Sequence, residues 1–539
     1  MPSRVVFAGI DLIDGTGAPA RAADVVVDGD SITAVVPPGS GPLDGARVVD
    51  GALPDGRRAT LTPGFIDMHA HSDLALVHDR EHLAKVSQGV TTEVVGQDGI
   101  AYAPLVLGGS DVTSDVVRQI AAWNGTGDVA WRTVPEYLRA VDGAAVNAAF
   151  LVPQGNLRML VVGQTDRPAS PAEVAQMREL LAAGLDAGAR GMSSGLTYTP
   201  GMYATADELA ALAAVVAERG GYWAPHTRGY GGHALDAYRE VLDVGRRTGC
   251  PIHLTHATMN YPPNRGRAAE LLALVDAALA DGVDVTLDTY PYTPGATTLA
   301  ALLPSWAAAG GPDATLARLR DTTPSGPRAA ILDALDVTGS DGNHGEVVDW
   351  AGIQVSGVTT ASLAGAVGLT IAELASRRGL PPSTAALELM VADGLGTGIL
   401  MHVGDEDNVR AVMRHPRHCG GSDAILVGAR PHPRAWGTFP RFLGHYARDL
   451  GVLSMPEMVR HLTSNPAARL GLTDRGVVAP GMRADLVLLD ADAVLDGATF
   501  DAPRTPAVGI SHVMVNGEFV LDDGVRTSAT PGRVLRSRG

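Results

Sequence analysis

The chain has 539 residues, 45% of them hydrophobic, with 59 acidic against 42 basic side chains and a net charge of −17. That length exceeds one compact unit and points to two or three domains around a large core, while the acidic balance excludes the basic footprint that nucleic acid or an anionic membrane requires. No run of about 20 apolar residues offers a membrane span, and two cysteines, Cys250 and Cys419, exclude a disulfide framework and a cysteine-based structural zinc.

In chain order, Met1 to Arg4 run straight into strand-like residues with no apolar signal segment, so a reduced, cytoplasmic setting is expected. The first 60 residues read as short strands, "RVVFAGIDLID", "ADVVVDGDSITAVV" and "ARVVD", separated by the Gly, Pro and Asp of hairpins. "GFIDMH" follows, and after it strand-like runs recur at 92–95, 146–152, 191–194, 221–225, 251–255, 283–290 and 418–423. Helical segments separate them. "SPAEVAQMRELLAAGLDAG" opens with Ser170, Pro171 and Glu173, a cap, a first-turn proline and a capping-box glutamate. Thr205 and Glu208 repeat that logic before "LAALAAVVAERGG".

Strands alternating with helices mean βα units and a parallel sheet, and eight strands close a barrel. A long stretch with Gly/Pro clusters and some helix signals, "ASLAGAVGLTIAELASRRG" among them, interrupts the alternation before the eighth strand. Insertions at that face commonly form lids. The end of the chain, with "ADLVLLDAD" and "ISHVMVNGEFVLDDG", mirrors its beginning. The expected fold is therefore α/β. A (β/α)8 TIM-type barrel spans 62–475, with an insertion or lid at 297–400 between strands seven and eight. A small β-sandwich domain is formed from both termini, 1–61 and 476–530.

Active sites in such barrels lie at the C-terminal ends of the strands. His69 and His71 end the first strand, and residues two apart share a face. With 16 histidines in the chain, an isolated H-x-H carries little weight. The other strand ends supply the weight: Asp98 follows the second strand, Tyr198 the fourth, His226 the fifth, His256 the sixth and Asp423 the eighth. Tyr198 apart, these are six ligand-type residues at matching places in independent units, and they indicate a metal site.

The ordered set "PGFIDMHAHSD", "SQGVTTEVVGQDG", "GLTYTPGMYA", His226, His256, "DTYPYT", "GSDA", "HPRAWGTFPRFLG" and "TSNPAARLGLTDRGVVAPGMRADLVLLD" resembles the amidohydrolase superfamily, within it the N-acyl-D-amino-acid deacylase branch, over about residues 5–525. The resemblance implies one or two Zn2+ ions on His69, His71, Asp98, His226, His256 and Asp423. It further implies Asp423 and Tyr198 as catalytic groups, and Arg434, Tyr290 and Thr258 as substrate contacts.

Three departures qualify that picture. Where the deacylases usually place a metal-binding cysteine, this chain has Gln97-Asp98-Gly99; a carboxylate can bridge two zinc ions as a thiolate can. The bridging lysine of related amidohydrolases has no counterpart, because the only lysine, Lys85, falls in the helical segment after the first strand. The lysine and serine that help hold a substrate α-carboxylate appear here as Thr258 and Ala296, leaving Arg434.

The expected activity is hydrolysis of the amide of N-acyl amino acids, small-molecule substrates. Loss of two anion contacts beside the scissile bond favours an amide distant from the carboxylate, as in the actinomycete Nε-acyl-L-lysine acylases. The α-amide of N-acyl-D-amino acids is the alternative. Cyclic-amide hydrolysis of the hydantoinase type is disfavoured by the missing bridging lysine, and a non-enzymatic barrel scaffold by the intact histidines. His253 and Asp67 are read as structural, Cys250 and Cys419 as packed apolar groups, and His233, His402, His415, His418 and His432 as surface or loop histidines.

Overall fold

Eight strands, Phe65–Asp67, Val90–Val95, Asn147–Pro153, Gly191–Gly195, Tyr222–His226, Ile252–Leu254, Val285–Thr289 and His418–Gly420, pair in that order and all in parallel. They belong to a computed structural model that describes residues 4–537. Every one of these strands is buried along its length, as expected of a parallel sheet covered on both faces. Their inward side chains, including Ile66, Met68, Val94, Leu151, Ala224 and Cys419, fill the barrel. Cys419 packs there as an apolar residue, and Cys250 is likewise buried and unpaired.

The ring closes through the segments that carry candidate ligands. The N–H of Met68 donates to Gly420 O at 3.1 Å, that of Asp423 to His69 O at 2.8 Å, and a parallel bridge joins Ala70 to Ala424. Closing the barrel thus fixes His69 and His71 against Asp423.

Helices between the strands begin where the sequence signals them. Ser170 caps Pro171–Asp186 with a reciprocal box to Glu173. Thr205 caps Ala206–Glu218 by accepting from Glu208 N at 3.2 Å, but the Glu208 side chain departs from the expected box. It is buried and pairs with Arg158 instead, because a buried guanidinium needs a carboxylate more than an already capped helix does.

Between the seventh and eighth strands the chain builds a unit with its own core. Gly295–Thr298, Gly398–Met401 and Ile353–Gly357 form a three-stranded antiparallel sheet with Gly398–Met401 in the centre, packed on Leu299, Leu335, Ile371, Leu387 and Met390. The expected helix over "ASLAGAVGLTIAELASRRG" is two pieces. A 3-10 turn, Ala361–Ala366, ends before Gly368 at φ 88°, and Thr370 then caps Ile371–Arg378.

Both termini enter one nine-stranded mixed sheet, joined where Thr60–Pro63 pairs antiparallel with Leu486–Leu489. A bridge from Ser31 to Arg483 folds its far strand back, and Phe7, Val25, Leu61, Leu486 and Met514 share an apolar core within it.

Candidate functional site

At the C-terminal mouth of the barrel the structure brings together all six predicted donors. His69, His71, Asp98 and Asp423 form one group, and Asp98, His226 and His256 a second, so Asp98 belongs to both. One Asp98 oxygen lies 3.6 Å from His69 Nε2 and 3.7 Å from His256 Nε2. The other lies 3.6 Å from His71 Nε2 and 3.7 Å from His226 Nδ1. Asp423 Oδ1 is 3.1 Å from His71 Nε2 and 3.7 Å from His69 Nε2.

A tetrahedral cation with bonds of about 2.0–2.1 Å spaces its ligands roughly 3.3–3.4 Å apart; the pairs here, at 3.1–3.7 Å, bracket that spacing, and most are too long to be hydrogen bonds. His69 Nδ1 and Nε2, His71 Nδ1 and Asp98 Oδ1 are buried without a hydrogen-bond partner. Buried polar groups left unpaired are costly. The donor set therefore fits divalent metal.

The backbone is bent to achieve this. Asp98, His256 and Asp423 take left-handed φ values of 54°, 31° and 47°, a region that non-glycine residues occupy at a cost of order 1 kcal/mol or more, and typically at functional sites. Asp288, in the seventh strand, accepts from His256 N at 2.8 Å and pairs with His253 Nε2 at 2.8 Å. His253 is thus a structural residue, as read.

The electrostatics follow from the packing. Burial would raise Asp98, but His69 and His226 hold it well below the usual carboxylate range. Burial would likewise raise Asp423, but Arg434 and His69 hold it down. Burial opposes protonation of His71, yet Asp423 and Asp98 raise its imidazole to about 9. Burial, with Asp98 nearby, pushes the Tyr198 hydroxyl well above its ordinary value, so it stays a donor at neutral pH.

Tyr198, Tyr290 and Thr258 line a cavity of about 570 Å³ that also holds His71, Asp98 and Asp423. Tyr198 Oη lies 3.0 Å from Thr297 Oγ1. Arg434 lies outside that lining, and its guanidinium nitrogens have no hydrogen-bond partner among the described residues. Fully buried, it sets Nη2 3.0 Å from Asp423 Oδ2, and the Tyr290 ring covers it at 4.5 Å.

Lys85, in the short helix Leu83–Val86, stays outside both donor groups. Its ammonium is enclosed by Asp67 and Glu93, each at 2.6 Å, and Ser422 Oγ at 3.1 Å.

The sequence reading also missed groups. Trp123 stacks on His71 and meets Tyr198 edge-on at 4.6 Å. His344, from the inserted unit, lines the cavity at φ 58° with a buried, unpartnered Nδ1. Neither lies at a strand end, so no periodic signal marks them. The expectation of surface or loop positions fails for His418, which lies in a strand; His415 and His432 lie in loops, though buried ones. His418 is the buried first residue of the eighth strand, 3.3 Å from His461, and His432 is buried with Nε2 3.1 Å from Pro294 O.

Comparison with known proteins agrees with this geometry. The model of the amidohydrolase family ("Amidohydro_3") matches residues 55–521. An N-acyl-D-glutamate deacylase of Alcaligenes xylosoxydans xylosoxydans is 37% identical over 99% of this chain and 96% of its own. A D-aminoacylase from the same organism is 34% identical over 99% and 98%. The crystal structure of N-acyl-D-glutamate deacylase from Bordetella bronchiseptica, complexed with zinc and a phosphonate mimic of the tetrahedral intermediate, superimposes with a TM-score of 0.83 at 34% identity, covering 99% of both chains. With most of its length matched and its barrel carrying this donor set, the chain belongs to the amidohydrolase family.

Proposed function

We propose that this protein is a zinc-dependent aminoacylase that hydrolyses the amide of N-acyl amino acids. The observation that carries the reading is Asp98 shared between two donor groups at the barrel mouth. His69, His71, Asp98 and Asp423 would hold one ion, and Asp98, His226 and His256 another. Zinc bound there supplies activation of water at neutral pH and polarisation of the acyl carbonyl.

The remaining steps belong to the protein's own groups. Asp423, kept ionised by Arg434, accepts the proton of the attacking water and passes it to the leaving amine. The Tyr198 hydroxyl donates to the carbonyl oxygen as negative charge develops on it. Trp123 and Tyr290 wall the reacting atoms from bulk water.

The named relatives act on D-amino-acid derivatives, which supports the α-amide as substrate. One observation favours the ε-amide of lysine instead. The cavity wall where an α-carboxylate would lie beside the scissile bond offers Thr258 and Ala296, and Arg434 is turned to Asp423 beneath Tyr290. Turnover of Nα-acetyl-D-glutamate, Nα-acetyl-D-methionine, Nε-acetyl-L-lysine and dihydrouracil by the zinc-loaded enzyme decides between them. Hydrolysis of dihydrouracil alone would overturn the linear-amide reading.

A further inference from the structure

The site cavity meets a second one at Trp123 and Tyr198, which line both. This second cavity spans about 680 Å³ including its opening to solvent. Its walls come from two places. The helix Thr113–Asn124 and the loop carrying Tyr198 and Met202 form one side, and the inserted unit supplies Ala300, Leu303, Ala308, Pro312 and Leu395. No carboxylate lines it, and the one cation at its edge, Arg118, is already paired with Asp313 at 2.7 Å. Neutral polar groups, among them Gln119, Gln164, Thr199, Ser305 and Thr315, share the lining with these apolar side chains, so it suits an uncharged chain.

Its position says which part of a substrate reaches it. This step rests on the proposed function, in which Tyr198 contacts the carbonyl oxygen. The carbonyl carbon bears only that oxygen, the leaving nitrogen and the acyl substituent. Thr258, Asn260, Tyr261 and His344, polar or aromatic groups suited to an amino acid, line the site cavity and neither of its neighbours. Beside Tyr198 lies the apolar opening. A third cavity, of about 1130 Å³, borders His71 but neither Tyr198 nor Trp123.

We infer that the cavity between the Thr113–Asn124 helix and the inserted unit is the acyl-chain subsite, and that the enzyme acts on alkanoyl groups longer than acetyl. Each methylene buried there is worth up to about fourfold in kcat/KM, from roughly 0.8 kcal/mol per buried methylene.

The test holds the amino acid fixed and varies the acyl group from acetyl through butyryl and hexanoyl to octanoyl. The wild-type zinc enzyme is expected to rise severalfold at each step. In Ala301→Phe and Ala308→Phe, which fill the cavity, the octanoyl-to-acetyl ratio should fall tenfold or more. In Ala121→Phe, on the third cavity, the ratio should stay within twofold. Calorimetric binding of free octanoate against acetate needs no turnover, and Ala308→Phe should weaken octanoate alone. Rates flat with chain length, octanoate binding no tighter than acetate, or a ratio that shifts in Ala121→Phe would each overturn the subsite. Absence of hydrolysis with octanoate still bound would overturn the activity and leave the subsite standing.

Discussion

Replacing Lys85 with methionine removes the only ammonium side chain in the protein from a fully enclosed site. Asp67 and Glu93 lie 2.6 Å from Nζ, His82 Nε2 sits 2.7 Å from the other Glu93 oxygen, and all four side chains are fully buried. Burial alone would lower Lys85, but the two carboxylates outweigh it and raise its pKa, while Lys85 and His82 together outweigh the burial of Glu93 and bring it to about 2. Deleting one partner of such a network leaves buried charge unpaired, a loss of about 3–5 kcal/mol. Two charge-assisted hydrogen bonds at roughly 1.5–3 kcal/mol each give a similar figure. That is about a fifth or more of a typical domain's stability of roughly 5–15 kcal/mol.

The effect reaches the site through Asp67, which accepts from Ser422 N at 2.8 Å, Ser422 Oγ at 2.6 Å and His69 N at 3.2 Å, tying the His69 and Asp423 segments together. Urea unfolding followed by circular dichroism should show that loss in Lys85→Met, with part of it recovered when Glu93→Gln is added. A loss below about 1 kcal/mol, the value of an exposed ion pair, would refute the reasoning.

Other outcomes follow from the same geometry. Asp423→Asn should keep its fold and lose at least about a hundredfold in kcat, the usual worth of general acid–base catalysis; a loss under tenfold would remove Asp423 from proton transfer. Tyr198→Phe should cost about a hundredfold in kcat with little change in KM, as for removal of one oxyanion donor, and a pure KM effect would argue against that role. Because Glu93 is lowered to about 2 in the folded protein, its stabilisation is present above pH 4.5, its ordinary value, and is lost as pH falls toward 2. Urea midpoints measured across that window should therefore fall more steeply in the wild type than in Glu93→Gln, and parallel slopes would contradict the network.

Much of this was legible in the sequence because the chemistry sits where a barrel puts it. Strand ends are local signals, so His69, His71, Asp98, His226, His256 and Asp423 could be named from apolar runs followed by a polar residue. Capping at Ser170 and Thr205 was readable for the same reason. Groups delivered by tertiary packing were not. Trp123 reaches His71 from a helix on another βα unit, and His344 arrives from an insertion whose fold has no fixed period. The burial of His418 depends on Phe442 and His461, and that of His432 on Tyr292 and Phe500, none of them its neighbour in the chain. Lys85 could be set aside as a bridging ligand from its place in the chain. That it anchors the ligand segments from outside the barrel is visible only when Asp67, Glu93 and Ser422 are seen around it.

The most direct measurement is the zinc content of purified Asp98→Ala beside that of the wild type, with activity followed before and after chelation. The account predicts bound zinc and chelator-sensitive turnover in the wild type, restored by added zinc, and loss of both metal and turnover in Asp98→Ala. Zinc retained at the wild-type level in that variant, or turnover undiminished in a metal-free sample, would contradict it.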